Sequence, residues 1–114
     1  MKTFIYHIRP AMNMDDAWRL IKEIRSVDEA FVENERAREK LYKDAINSRD
    51  PKQLISIMKT LYIRMQKRLE EGKKTTAVDE RYFKLAENHL YSELAFALKV
   101  HRSELNKIIE EKLQ

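Results

Sequence analysis

Apolar residues recur at spacings of three and four along most of the chain, which predicts amphipathic α-helices. The clearest run lies between Asp50-Pro51, an N-cap followed by proline at the first helical position, and Gly72, which suits a left-handed C-terminal cap. We predict a helix over 51–71. Its apolar positions are Leu54, Ile55, Met58, Leu61, Tyr62, Met65 and Leu69.

Two capping-box pairs mark further helix starts: Asn13 with Asp16, and Thr76 with Asp79. The first pair predicts a helix over 14–25. The second predicts a long helix ending near residue 99, whose inward positions are Val78, Tyr82, Phe83, Ala86, Leu90, Leu94, Ala95 and Leu98.

A fourth helix is predicted over 28–47, with apolar ends and a polar middle that suits a helix crossing a surface or projecting between modules. After a break at 100–103, a last helix carries Leu105, Ile108, Ile109 and Leu113, with His101 at its cap. Residues 3–8 are strand-like but have no partner strand within the chain. The predicted fold is therefore all-α: a compact bundle of about five helices with a short N-terminal extended segment.

Composition narrows the possible chemistry. One Gly, two Pro and no Cys exclude a β-sandwich or barrel, a glycine-rich phosphate loop, a disulfide scaffold and a thiolate zinc site. His7, His89 and His101 lack the spacing of a metal site, and no serine lies in a nucleophile motif. We expect no enzyme activity, cofactor, metal or small-molecule substrate. There is no signal-peptide pattern or membrane-spanning run, so a soluble, cytoplasmic protein is expected.

The basic residues are unevenly distributed along the chain. The net charge is +4, and the window from Lys59 to Lys74 accounts for all of it, because it holds six basic and two acidic residues. Clustered Lys and Arg at a helix end are typical of a phosphate-binding surface, although a solvated helix end explains them equally well. The basic members are Lys59, Arg64, Lys67, Arg68, Lys73 and Lys74.

The stretch from Leu94 to Leu105 is similar to the turn of a helix-turn-helix. However, the helix that follows carries three acidic residues and two lysines, whereas a recognition helix needs a basic or polar face toward the DNA groove. Core packing is the better interpretation of this stretch.

One ordered pattern resembles a known family. The runs 61–64, 72–81 and 86–95, preceded by Arg36, Tyr42 and Asp50-Pro51, resemble the C-terminal helical domain of the CarD/CdnL family of bacterial transcription regulators. The resemblance covers about residues 27–114. Residues 1–26 resemble the remnant of that family's N-terminal domain and its connecting helix, and this gives a predicted domain boundary at 26/27.

The resemblance implies a non-enzymatic regulator that holds RNA polymerase through a Tudor-like N-terminal domain. The helical domain would contact promoter DNA at the upstream edge of the melted region and stabilise the open complex, with an aromatic wedge in the minor groove. It also implies a nucleoid-associated location. Apart from the strand at 4–8 the Tudor-like domain is absent here, so a fragment, or a member that cannot hold polymerase in the usual way, is expected.

The family's wedge is commonly Trp, whereas the matching position here is assigned to Phe31. Core packing is an equally good interpretation of Phe31, and packing is favoured for Trp18, the chain's one tryptophan. Our first hypothesis is DNA binding, with phosphate contacts from the six basic residues of 59–74 together with Arg36 and Arg38. The alternative is a helical protein–protein interaction module without DNA binding, in which the 28–47 helix is the docking surface.

Overall fold

The computed structural model describes residues 12–113, which form five α-helices joined by short loops. The predicted all-α bundle is confirmed for this part of the chain. The strand-like segment 3–8 lies outside the described residues. The helices are α1 (Met14–Glu23), α2 (Glu35–Ser48), α3 (Pro51–Glu70), α4 (Ala77–Leu98) and α5 (Arg102–Leu113), and a 3-10 turn, Ile24–Ser26, extends α1.

The predicted start signals of three helices are confirmed. Asn13, Asp50 and Thr76 precede α1, α3 and α4, and each accepts a hydrogen bond from a backbone amide of its own first turn. Gly72 follows α3 with a φ of 76°, the left-handed conformation expected of a C-terminal cap. Side chains that bond the first free amides and a glycine after the last turn thus set these helix ends.

The predicted start of the helix over 28–47 is wrong. α2 begins at Glu35 rather than near residue 28, because the Asn34 side chain caps it by accepting a hydrogen bond from the Ala37 amide at 3.0 Å. Residues 27–34 form an irregular segment, which we call the connector, between the 3-10 turn and α2. Phe31 and Val32, predicted to lie in the helix, belong to the connector.

Two clusters of buried side chains hold the bundle together. The larger one joins α1, the 3-10 turn, α3, α4 and α5, and its most buried members include Ala17, Leu90, Leu94 and Leu105. The smaller one joins α2 to α3 and α4 through Tyr42, Ala45, Ile57, Leu61 and Tyr82.

Most inward positions predicted for α4 are buried or half-buried, but Val78 in its first turn is 40% exposed, contrary to the prediction. Trp18, for which packing is expected, is 42% exposed on α1.

The leucines of the helix-turn-helix-like stretch pack in the core, although Phe96 between them is exposed. Leu94, Leu98 and Leu105 are all buried in the larger cluster, which agrees with the interpretation made from the sequence. α4 ends at Leu98, and the next residue, Lys99, adopts a left-handed φ of 57°. α5 begins at Arg102, inside the predicted break at 100–103, and the His101 carbonyl accepts from the amides of Glu104 and Leu105.

Candidate nucleic-acid interface

The connector is attached to α3 at two points. The Ala30 amide donates to Oγ1 of Thr60 at 2.8 Å, and Nζ of Lys59 donates to the carbonyl of Val27. Phe31 follows directly and is 84% exposed, so core packing is excluded for its side chain. The large apolar ring of Phe31 is therefore exposed to solvent on a segment whose backbone is attached to α3.

A groove of about 640 Å³ separates the connector from α3. Phe31 and Val32 line it on one side, and Ile63, Arg64 and Lys67 line it on the other. Glu29, Glu35 and Arg38 also reach it, so the lining carries both signs of charge beside its apolar side chains. The groove brings together four of the nine residues predicted as DNA contacts.

Arg64 is engaged by two carboxylates. Its Nε donates to Oδ2 of Asp79 at 2.7 Å, and a terminal nitrogen donates to Oε1 of Glu35 at 3.2 Å. Asp79 is only 1% exposed, and Arg64 provides the opposite charge that a buried carboxylate requires. A phosphate would have to compete with both partners for this guanidinium.

The remaining members close a ring of hydrogen bonds. Arg38 donates to Glu35 and, at 3.0 Å, to the hydroxyl of Tyr42, which in turn donates to Oδ1 of Asp79 at 3.1 Å. Burial raises the pKa of Tyr42, which keeps its phenol protonated as a donor. The hydrogen bonds from Arg38 and the nearby charge of Arg64 lower the pKa of Glu35. This polar ring, made of Glu35, Arg38, Tyr42, Arg64 and Asp79, joins the starts of α2 and α4 to the end of α3.

The loop between α3 and α4 holds the other predicted basic residues. Nε of Arg68 donates to the carbonyl of Lys74 at 2.9 Å, which fixes the path of the loop. Nζ of Lys73 lies 3.7 Å from Oε1 of Glu71, a loose ion pair between exposed groups. Lys74 is exposed, and its ammonium makes no ion pair within residues 12–113.

Three of the predicted cations have neither an ion pair nor a side-chain hydrogen bond to break among the described residues: Arg36, Lys67 and Lys74. The Lys59 ammonium is committed to the connector, and burial lowers its pKa despite the nearby charges of Asp28 and Glu29. The sequence thus located the basic end of α3, whereas the structure shows which of its cations already have partners.

Sequence reasoning missed the polar ring as a unit. The capping-box spacing identified Asp79 as a helix-start residue, but gave no sign that its carboxylate faces inward toward Tyr42 and Arg64. Asn34 followed by Glu35 was the available signal for the true start of α2, because Asn is a preferred N-cap and an acidic residue suits the first turn. With α2 starting there, Glu35 falls within reach of Arg38, one turn later.

Comparison with known proteins decides the family. The model of the family described as "CarD, C-terminal domain" matches residues 19–110, from the middle of α1 to near the end of α5. The chain belongs to the CarD family. Neither a curated protein nor a solved structure gives a significant match to the chain.

Membership in the CarD family places the chain in a transcription-related, regulatory and non-enzymatic family. The described residues contain no group of three or more His, Asp or Glu side chains arranged to hold a metal ion. None of the five helices is both long and apolar enough to cross a membrane. The family match confirms the resemblance seen in the sequence at the level of the family.

Proposed function

We propose that this chain is the DNA-contacting helical domain of a CarD-type regulator, which meets promoter DNA at the upstream edge of the melted region and helps stabilise the RNA polymerase open complex. The observation that carries the proposal is the exposed Phe31, held by the connector beside the basic end of α3. An apolar side chain flanked by phosphate-binding cations is the combination with which minor-groove proteins unstack a base step.

In this proposal Phe31 is the wedge, and the phosphate contacts come mainly from Arg36, Lys67, Arg68, Lys73 and Lys74. Three other predicted cations already hold the connector and the polar ring through their charged groups. In this proposal they orient the DNA-contacting surface rather than bind phosphate: Lys59, Arg64 and Arg38. Polymerase would be held by an N-terminal Tudor-like domain, as the family resemblance implies, and the protein would be associated with the nucleoid.

The test is a titration with a fork-junction DNA probe, a duplex that opens into single strands, at several salt concentrations. About five phosphate contacts give a slope of log affinity against log salt of about −4 to −5. Reversing two loop charges with Lys73→Glu and Lys74→Glu should weaken binding about tenfold or more. Lys22→Glu with Lys107→Glu makes the same change of charge on exposed residues of α1 and α5 and should have a much smaller effect.

Phe31→Ala separates a wedge from a purely electrostatic contact. Because Phe31 is 84% exposed, its removal should leave the unfolding free energy unchanged. Binding to the fork junction should weaken about fivefold, while binding to an uninterrupted duplex stays the same. Binding that is insensitive to salt, or unaffected by the Lys73 and Lys74 reversals, would refute the proposal.

A second candidate, docking of a protein partner, is favoured by one observation. Asp28, Glu29 and Glu33 lie in the same connector as Phe31, and their carboxylates repel phosphate. A partner protein with an apolar pocket and basic rim would fit this surface. Light scattering combined with the DNA titration separates the two functions, because a stable dimer that is indifferent to DNA supports the second.

A further inference from the structure

A second groove lies between α3, α4 and α5, lined by different residues from the connector groove. It measures about 410 Å³, and its apolar lining includes Met65, Leu69, Phe83 and Tyr91. The volume is in the range of cavities that bind ligands in proteins. We call it the three-helix groove.

Apolar surface remains open in this groove. Leu69 continues the apolar spacing of α3, yet it is 54% exposed because it lies beyond the region where α3 is covered by the larger cluster. Met65 and Phe83 are half-buried at the edge of the smaller cluster. These side chains are arranged to accept a further apolar group.

The charges on the groove are of one sign. Glu87 of α4 and Glu110 of α5 line it, and no Lys or Arg among residues 12–113 does so. Burial, followed by the negative charges of Glu87 and Glu110, raises the pKa of Tyr91. Arg102 places its guanidinium 5.7 Å from the centre of the Tyr91 ring, but it is not part of the lining.

We propose that the three-helix groove docks an amphipathic basic helix of a partner protein. The partner's apolar side chains would pack on Met65, Leu69 and Phe83, and its Lys or Arg residues would pair with Glu87 and Glu110. From Tyr62 to Leu69 the lining extends over two turns of α3, about 10 Å, which matches the two or three turns that anchor a helix in a groove. Charge complementarity selects the partner, because the same carboxylates repel an acidic segment.

The same carboxylates disfavour nucleic acid at this surface, since a phosphate backbone would face two negative groups and no cation among the described residues that line the groove. The proposal therefore adds a protein-binding surface to the DNA-contacting one. It does not depend on Phe31 or on the basic residues of the α3–α4 loop.

The probe is a 14-residue helical peptide of leucine and lysine, with leucines on one face, titrated into the chain labelled with ¹³C at its methionine methyl groups. Met65 lies in the groove, whereas Met58 is buried in the larger cluster and Met14 is on α1. Saturable movement of the Met65 signal, with the Met58 and Met14 signals unmoved, is expected. A peptide with glutamate in place of lysine should leave all three signals unmoved.

Two variants locate the interaction. The double variant Glu87→Gln with Glu110→Gln should lower the affinity for the leucine–lysine peptide about threefold to tenfold, because two partly exposed ion pairs with the peptide are lost. The matched control, Glu33→Gln with Glu104→Gln, removes the same charge from exposed residues outside the groove and should not change the affinity by more than about twofold. Leu69→Gln, which removes an apolar contact without adding charge, should weaken peptide binding strongly without unfolding the chain, because Leu69 is largely exposed.

The proposal is overturned if the Met65 signal does not move, if the glutamate peptide binds equally well, or if the groove variants bind like their control. DNA titration of Leu69→Gln keeps the two functions apart, because this variant leaves the charge at the basic end of α3 unchanged. A loss of peptide binding with DNA affinity retained shows that the groove acts independently of the DNA-contacting surface.

Discussion

Asp79 carries a carboxylate at a position where only 1% of the residue is exposed. Its amide donates to Oγ1 of Thr76, the N-cap of α4, while its two carboxylate oxygens accept from Tyr42 and Arg64. Without these donors, burial would remove the hydrogen bonds between the carboxylate and water, and no bonds within the protein would replace them. One residue therefore ties the start of α4 to α2 and α3 at once.

Replacing Asp79 with alanine should lower the free energy of unfolding by about 2–4 kcal/mol, because Arg64 and Tyr42 would lose their shared acceptor. Glu80→Ala, which removes an exposed carboxylate one position later, should cost less than about 1 kcal/mol. Urea unfolding measures both. Equal losses for the two variants would contradict the role assigned to the polar ring.

Glu35 makes the stability of the ring depend on pH. Hydrogen bonds from Arg38 and the charge of Arg64 lower its pKa below the ordinary value of 4.5. A carboxylate whose pKa is lower in the folded state contributes stability that is present above its unfolded pKa and is lost as pH falls through the folded value.

Glu35→Gln should therefore destabilise the chain at pH 7, and its difference from the unsubstituted protein should shrink as pH drops below 4.5. Thermal unfolding at a series of pH values follows this difference. A difference that stays constant from pH 7 to pH 3 would show that Glu35 acts by packing rather than by charge.

At the scale of elements, helix positions followed from the sequence wherever a cap and an apolar stripe agreed. α3 shows this agreement, with Asp50 and Pro51 at one end and Gly72 at the other. α2 does not, because its first apolar pair, Phe31 and Val32, precedes the cap. The apolar pattern by itself predicts that Phe31 and Val32 belong to the first turn, since it cannot show whether an apolar residue faces a core or a solvent-exposed groove.

Left-handed helix ends show another limit of sequence reasoning. Arg49 and Lys99 adopt φ values of 55° and 57° at the ends of α2 and α4, without the glycine that normally signals this conformation. Gly72 is the one left-handed end among the described residues that its residue type predicts, because any L residue with a side chain is expected to avoid positive φ.

The connector gives a prediction at this scale. Thr60→Val keeps the shape of the side chain but removes the acceptor of the Ala30 amide, so the free energy of unfolding should fall by about 1–2 kcal/mol. Amide hydrogen exchange at Ala30 should become faster. Thr75→Val removes an exposed hydroxyl that bonds Glu80 and should leave the Ala30 exchange rate unchanged. Unchanged exchange in Thr60→Val would mean that this bond does not hold the connector.

At the scale of the whole molecule, α1 shares its core with α3, α4 and α5. Ala17, Leu20 and Ile21 pack in the same cluster as Leu90 and Leu94. The candidate site is likewise assembled from several elements, which explains why its chemistry was predicted only in part. The sequence shows that the charge is concentrated between Lys59 and Lys74, but the partners of Arg64 are 15 and 29 positions away along the chain.

The shared core predicts cooperative unfolding. Trp18 is the one tryptophan in the chain and lies on α1, so its fluorescence reports on that helix, while far-ultraviolet circular dichroism reports on all five. Because α1 is packed into the larger cluster, the two urea transitions should coincide. A fluorescence transition at lower urea would instead support a structural boundary near residues 26 and 27, as predicted from the sequence.

The attachment of the connector has a thermodynamic consequence for recognition. Residues 31–34 span the distance between two fixed points, the Ala30 amide on Thr60 and the start of α2 at Glu35 in the polar ring. The backbone that carries Phe31 is therefore ordered during folding, and a binding partner does not have to order it. Loosening either point should weaken binding through entropy alone, with every contact to the partner unchanged, and calorimetry would record a less favourable entropy at the same enthalpy.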